Sequence, residues 1–450
     1  MTPGIFREYD IRGVAGEDLT EEDVISIGMA YGTLLQRHGN RRVTVGRDCR
    51  KSSDLYSQRL IEGITATGCD VIDIGVCPTP VLYFSIHHLD AQGGAMVTAS
   101  HNPPEYNGFK LMNGFDSIHS QGLQEIWRII EQKAFTRGEG RLETSDVTTP
   151  YMAFIQENIT LDKELTIGVD AGNGTGGITA LPVLEALGCR VHDLYCDMDG
   201  SFPNHEADPT VKKNMEELIA LVREKKLDLG VGYDGDGDRI GVVDENGKII
   251  YGDQLMIIFA REILARKPNA AFISEVKCSM VMYDEIENLG GRAVMWRTGH
   301  SLIKKKMKEE KAELAGEMSG HMFFKDRYFG FDDALYATCR LLEILAKTGK
   351  SVSQLLSGLP ETFTTPEIRV ECRDDKKFAV VEAITRRFKQ KQEVIDIDGM
   401  RAIYPDGWGL VRASNTQPAL VLRFEALSEA RLEEIRTEVE TALKEIIEKG

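Results

Sequence analysis

No run of apolar residues in this chain is long enough to span a bilayer, and the start, MTPGIFREYD, has no basic segment leading into an apolar one. Neither a membrane span nor a secretory leader is expected. Cysteine is sparse, eight residues in 450 with no CxxC pair. A disulfide framework is thereby excluded, and reduced thiols in the cytoplasm are the expectation. Positive charge falls short as well: 54 Lys and Arg against 71 Asp and Glu leave a net charge of −17. That balance argues against non-specific binding to nucleic acid or to an anionic membrane surface. An anionic substrate would need a local cluster of Arg, Lys and His. What remains is an ordinary globular composition, 42% apolar and 28% charged, in a chain long enough for about three or four domains.

One pattern of strand, helix, strand, helix, strand and polar loop runs three times. Its first pass is RRVTVGRD, SQRLIEGITATG, CDVIDIGV, VLYFSIHHLD and GGAMVTA, ending in SHNPPEYNG. The second is LTIGVDA, TALPVLEALG, CRVHDLY, MEELIALVREKK and LDLGVGY, ending in DGDGDR. The third is AFISEV, SMVMYDEIENLG, RAVMW, SLIKKKMKEEK and AELAG, ending in EMSGH. Gly68, Gly188 and Gly290 close the first helix of each pass, as helix C-termini prefer. Such alternation implies three largely parallel α/β sheets of shared topology, with ligands outside the carboxyl ends of the strands. Three polar loops at one place in three successive units point to domains facing a central cleft. LSGLPETFTTPEIRV, with Pro360 and Pro366, reads as a linker. Beyond it the pattern becomes that of a small α+β domain, whose last helix carries Leu432, Ile435, Val439, Leu443 and Ile446 on a face packed against its own sheet.

In DGDGDR, Asp234, Asp236 and Asp238 alternate with Gly235 and Gly237. Alternate side chains of an extended segment point the same way, so the three carboxylates can converge on a hard cation such as Mg²⁺ or Ca²⁺. Arg239 follows, a cation with a use where a metal-bound phosphate is handled. An EF-hand would match Glu245 at position twelve, but position six is Arg239 instead of Gly and the flanks read as strands. A second competing signal is GNGTGG after LTIGVDA, where Gly172, Gly174 and Gly177 satisfy a dinucleotide fingerprint with Asp193 and Asp197 downstream. The alternative is that those glycines only make a tight strand-to-helix turn.

The first polar loop sets Ser100 and His101 directly after a strand, stiffened by Pro103 and Pro104. Serine there can be a nucleophile or phosphate carrier, or simply a turn cap. Lys110 adds a cation suited to phosphate or proton transfer. GEMSGH offers Glu317, Ser319 and His321, groups that suit sugar hydroxyls. RASNTQP gathers Arg412, Ser414, Asn415 and Thr416 into a phosphate cradle or a self-satisfied turn.

TASHNP, DGDGDR, GEMSGH and RASNTQP, in that order and one per domain, resemble the motifs of the α-D-phosphohexomutases, and GEMSGH is most similar to the phosphomannomutase/phosphoglucomutase branch. The resemblance covers essentially the whole chain. With the repeat, it implies a phosphoserine domain at 1–150, a metal-binding domain at 151–254, a sugar-binding domain at 255–364 and a phosphate-binding lid at 365–450. It implies a phosphoserine at Ser100, Mg²⁺ on Asp234, Asp236, Asp238 and a phosphoserine oxygen, and Glu317 and Ser319 on the sugar's 3- and 4-hydroxyls with His321 close by. The non-reacting phosphate would lie on Arg412, Ser414, Asn415 and Thr416. Shorter matches bring in Tyr9, Arg12, His101, Lys110, Arg239, Lys277 and His300, with His101 and Lys110 both open as the base. The implied reaction converts hexose 1-phosphate and hexose 6-phosphate through a hexose 1,6-bisphosphate, which also serves as activator. Met318 and Thr98 differ from the Gln and Ser usual in phosphoglucosamine mutases, so mannose and glucose phosphates are the expected substrates, ahead of glucosamine phosphate.

Overall fold

The computed structural model describes residues 1–415 and 417–449. By its internal contacts the chain forms two compact units, one of residues 1–259 with 319–355 and the other of residues 260–318 with 356 onward.

The first unit holds two sheets. In one, the strand Arg42–Arg47 runs parallel to Gly93–Val97 and Asp70–Val76, and Tyr106–Asn113 lies antiparallel between Gly93–Val97 and Ile11–Val14. Val43, Val45, Ala95 and Val97 are fully buried. In the other, Thr166–Asp170 runs parallel to Arg190–Leu194 and Leu229–Tyr233, and Ile240–Asp244 returns antiparallel to Leu229–Tyr233. DGDGDR is therefore the turn of an antiparallel pair. The helix pair that an EF-hand requires is absent from its flanks. Glu245 instead accepts a hydrogen bond from Ser351 Oγ at 2.6 Å. Gly68, Gly188 and Gly290 have φ of 92°, 86° and 79°, the left-handed backbone that ends a helix.

The repeat as read from the sequence starts too late. The helix Glu21–Arg37 precedes it, opened by a capping box in which Thr20 accepts from Asp23 N and Asp23 from Thr20 N. This helix meets Ser53–Thr65 almost backbone to backbone. A Cβ on Gly63 would stand 2.2 Å from Ile25 O, and one on Gly28 would stand 2.4 Å from Leu60 O. Gly63→Ala should therefore force the pair apart and cost about 1–3 kcal/mol of stability, read from denaturant midpoints.

In the second unit Ala271–Glu275 is parallel to Arg292–Trp296 and Leu314–Gly316. The last domain is antiparallel throughout, with Ala419–Ala426, Gly407–Ala413 and Met400–Tyr404 at its centre. Ile435, Val439 and Leu443 of the final helix are buried in its core, with Leu432 and Ile446 packed beside them. The expected linker needs correction, because Phe363–Thr364 between the two prolines pairs with Ala426 and Glu425 as an edge strand. Among the described residues no helix is long and apolar enough to cross a membrane.

Candidate active site

Asp234, Asp236 and Asp238 are fully buried, with one oxygen of each lying within 4.8 Å of the others. The turn builds itself: Asp234 Oδ1 accepts from the amides of Asp238 and Arg239, both at 3.0 Å. Asp236 is held from the first sheet's side by Thr79, whose Oγ1 donates to Oδ2 at 2.6 Å and whose amide donates to Asp236 O at 2.8 Å. Lys110, on Tyr106–Asn113, places its ammonium 2.6 Å from Asp236 Oδ2 and also bonds Asp238. Three carboxylates and one ammonium leave a surplus of negative charge, and Asp236 Oδ1 is buried with no hydrogen-bond partner among the described residues. Such an oxygen is costly to bury unless a cation meets it. All-oxygen donors at this spacing fit a hard divalent ion.

Ser100 reaches this turn from its own loop. Its Oγ donates to Asp234 Oδ2 at 2.7 Å and lies 3.1 Å from His101 Nδ1. Its φ is 52°, a left-handed conformation rare for serine. Gly235 makes the approach feasible, since a Cβ there would sit 2.5 Å from Ser100 O. Gly235→Ala should push the two loops apart and lower turnover about a hundredfold with the fold retained, a loss that kcat measurements would detect.

Charge in this site is sharply divided. Burial, then the neighbouring Asp238 and Asp236 carboxylates, hold Asp234 well above the usual carboxylate range. Burial also presses upward on Asp238, but Lys110 and His321 outweigh it and keep this carboxyl well below that range. Burial acts against the Lys110 ammonium too, and Asp236 and Asp238 more than offset it, so Lys110 is raised. His101 is lowered by desolvation and by the Arg239 and Arg12 guanidinium groups, which keeps the ring neutral.

His321 Nε2 lies 3.2 Å from Asp238 Oδ1 and 3.3 Å from Arg239 Nε, and Ser319 Oγ lies 3.5 Å from His321 Nδ1. Arg239 Nε is 4.0 Å from Asp234 Oδ2. Arg12 ties the N-terminal strand to the serine loop through Asn102 and to Asp10, and Tyr9 lies half-buried just before it. The structure thus brings Ser100, His101, Lys110, the three aspartates, Arg239, Ser319 and His321 together within one unit.

The remaining expected residues lie in the second unit. Glu317 accepts from Gly299 N at 2.7 Å, which fixes the turn carrying His300 at the start of the helix His300–Glu310. Lys277 is buried 3.3 Å from Glu367 and 4.0 Å from Glu275. Burial lowers its affinity for a proton, but those two carboxylates raise it above the ordinary value. The lysine in turn holds Glu367 down at about 2. The loop bearing Lys277 is clamped by the last domain: Arg401 donates to Val276 O and, at 2.9 Å, to Cys278 O, while Arg423 bonds Lys277 O. Arg412 Nε meets Asp398 Oδ2 at 2.9 Å, and Ser414 Oγ accepts from Gln417 N at 3.1 Å. Asn415 follows, half-buried. Thr416 lies outside the described residues.

Sequence reasoning passed over several groups. Thr79 is one. Asp332 is another, with a ligand atom within 4.8 Å of those of Asp238 and His321. A third is Glu275, whose carboxylate takes Lys277 N at 2.7 Å, Thr298 Oγ1 at 3.1 Å and Met318 N at 3.3 Å. Glu275 ends the strand Ala271–Glu275 and Thr79 lies three residues past Asp70–Val76, whereas Asp332 lies just before the helix Ala334–Thr348. GNGTGG proves to be scaffold. A Cβ on Gly174 would be 2.6 Å from Gly235 O, and Thr175 N already donates to that carbonyl at 3.0 Å. The backbone of the aspartate turn packs directly against this glycine loop.

Comparison with known proteins agrees along the whole length. Residues 3–137, 149–247 and 251–363 match the models of phosphoglucomutase/phosphomannomutase alpha/beta/alpha domains I, II and III, and residues 367–442 match that family's C-terminal domain. A phosphomannomutase/phosphoglucomutase of Pseudomonas aeruginosa is 47% identical over 99% of this chain and 96% of its own. A phosphoglucomutase of Neisseria meningitidis is 41% identical over 98% and 96%. The crystal structure of a phosphoglucomutase/phosphomannomutase family protein from Burkholderia thailandensis superposes with a TM-score of 0.94 at 42% identity, covering 99% of this chain and 98% of that one.

Proposed function

The chain belongs to the phosphoglucomutase/phosphomannomutase family, and on that premise we propose that it interconverts the 1- and 6-phosphates of mannose and glucose through a phosphoserine at Ser100. The observation that carries this reading is the 2.7 Å contact of Ser100 Oγ with a buried, cation-seeking aspartate cluster. Phosphorylated Ser100 gives its phosphoryl group to the free 6-hydroxyl of a hexose 1-phosphate, forming a hexose 1,6-bisphosphate. That intermediate reorients, and its other phosphate returns to Ser100. Asp234, Asp236 and Asp238, with an oxygen on Ser100, would hold Mg²⁺, which when bound supplies positive charge beside the phosphoryl group.

Positioning and charge do most of the work in phosphoryl transfer. Arg239 and Lys110 supply that charge from the protein, and His101 stands beside Ser100 Oγ, neutral and able to take a proton. Arg412, Ser414, Asn415 and Thr416 hold the phosphate that is not reacting, and Lys277 is a further substrate contact. Glu317 and Ser319 read the 3- and 4-hydroxyls, while His321, His300, Tyr9 and Arg12 complete the contacts. A coupled assay with Mg²⁺ and a trace of hexose 1,6-bisphosphate tests the reading. Mannose and glucose 1-phosphates should turn over, and glucosamine 1-phosphate should be slower by about tenfold or more in kcat/KM. Preference for glucosamine 1-phosphate would move the chain to the other branch; turnover of none of the three would sink the reading.

A further inference from the structure

Arg50 ends the segment GRDCR that continues the strand Arg42–Arg47. Its guanidinium is buried, and the residue is 2% exposed. A guanidinium has five N–H donors in a fixed fork, and here each has an acceptor. Nε donates to Asp48 Oδ2 at 3.1 Å. Nη1 donates to Pro103 O at 2.6 Å and Tyr106 O at 3.0 Å, and Nη2 to Ser100 O at 2.7 Å and Asn102 O at 2.6 Å. Three of the five acceptors are backbone carbonyls of the loop that carries Ser100, and a fourth is that of Tyr106, where the next strand begins. The ring of Phe202 lies 5.1 Å from the guanidinium carbon.

Asp48 fixes the arginine that holds this serine. One of its oxygens takes Arg50 N at 3.0 Å and the Ser53 hydroxyl. The Thr98 hydroxyl accepts from Ser100 N at 2.9 Å. The buried ion pair therefore holds the Ser100 carbonyl directly through Arg50, while Thr98 holds the amide. Because the backbone torsions fix where the Cα–Cβ bond points, this grip decides where Oγ lies. It also accounts for a serine at φ 52° in a loop with no ladder of its own.

We propose that the Asp48–Arg50 pair is the positioning device for phosphoryl transfer at Ser100, touching no substrate and acting by holding the serine backbone in its left-handed conformation. The inference rests on reading Ser100 as the phosphoryl carrier. In the step it serves, the bond from phosphorus to a sugar oxygen breaks, a bond to Ser100 Oγ forms, and the serine proton ends on the sugar oxygen. Lysine cannot replace the arginine, since its three donors on a flexible stem cannot meet five fixed acceptors.

The experiment compares Arg50→Lys and Asp48→Asn with wild type, using Gly63→Ala as a destabilised control remote from the loop. The readouts are the rapid-quench rate of Ser100 phosphorylation by glucose 1,6-bisphosphate, the KM for glucose 1-phosphate, and the affinity for Mn²⁺. Arg50→Lys should phosphorylate Ser100 about a hundredfold more slowly, with KM within about threefold of wild type and Mn²⁺ affinity unchanged. Asp48→Asn should fall between the two, and Gly63→Ala should match wild type per folded molecule. Wild-type phosphorylation rates in Arg50→Lys would overturn the proposal. So would a loss that follows the folded fraction alone, as a merely structural role predicts. If wild type itself takes no phosphate onto Ser100, the carrier role fails first, and the positioning role with it.

Discussion

Replacing Ser100 by alanine should lower turnover of mannose 1-phosphate by about 10⁴-fold or more, because on the proposed mechanism the residue lost carries the group being transferred and no neighbour can substitute for it. The fold should survive. Ser100 contributes two side-chain bonds to the site, the donation to Asp234 Oδ2 and the bond with His101 Nδ1, and the aspartate keeps the amides of Asp238 and Arg239 on its other oxygen. Divalent-ion binding should weaken only modestly, since Asp234, Asp236 and Asp238 remain. Kinetics, thermal unfolding and Mn²⁺ titration on one preparation separate these outcomes. Full activity in Ser100→Ala would remove the phosphoserine mechanism outright.

Lys110→Met should produce the second large effect, and its size depends on whether metal is present. The ammonium is bonded to Asp236 and Asp238 in a fully buried cluster. Removing one partner of a buried ion pair typically costs about 3–5 kcal/mol, because the other charge is left uncompensated. Metal-free Lys110→Met should therefore unfold at a much lower temperature than the metal-free wild type. Added Mg²⁺ should recover most of that loss, giving a larger stabilisation than in wild type, where the ion must displace a resident cation; saturation at about 100 times Kd corresponds to about 2.7 kcal/mol. Turnover should stay about a hundredfold or more below wild type even with Mg²⁺, since a positive group beside the phosphoryl oxygens has gone. Equal metal-free melting of variant and wild type would contradict this view of the cluster.

Much of this architecture is legible in the sequence because it is periodic. Strand and helix lengths repeat three times, and Gly68, Gly188 and Gly290 mark the same helix end in each pass with the left-handed φ that glycine allows. The aspartate turn is legible because its chemistry lies within five residues. Arg50 is not legible in the same way, since four of its five bonds go to backbone carbonyls, which every sequence supplies and no motif encodes. Thr79 meets Asp236 across 157 residues of chain, a pairing set by how two sheets pack. The helix Glu21–Arg37 could have been found, for Thr20 and Asp23 spell its capping box. Gly174 shows the opposite risk: a glycine pattern that satisfies a dinucleotide fingerprint serves here to let the Gly235 backbone approach.

The most direct test of the central claim is the intact mass and peptide map of the protein after incubation with glucose 1,6-bisphosphate. The account predicts the added mass of one phosphoryl group, located on the peptide containing Ser100, lost when excess glucose 1-phosphate and Mg²⁺ are added, and absent in Ser100→Ala. Turnover by a protein that carries no phosphate at Ser100 at any stage, or that carries it on another residue, would contradict it.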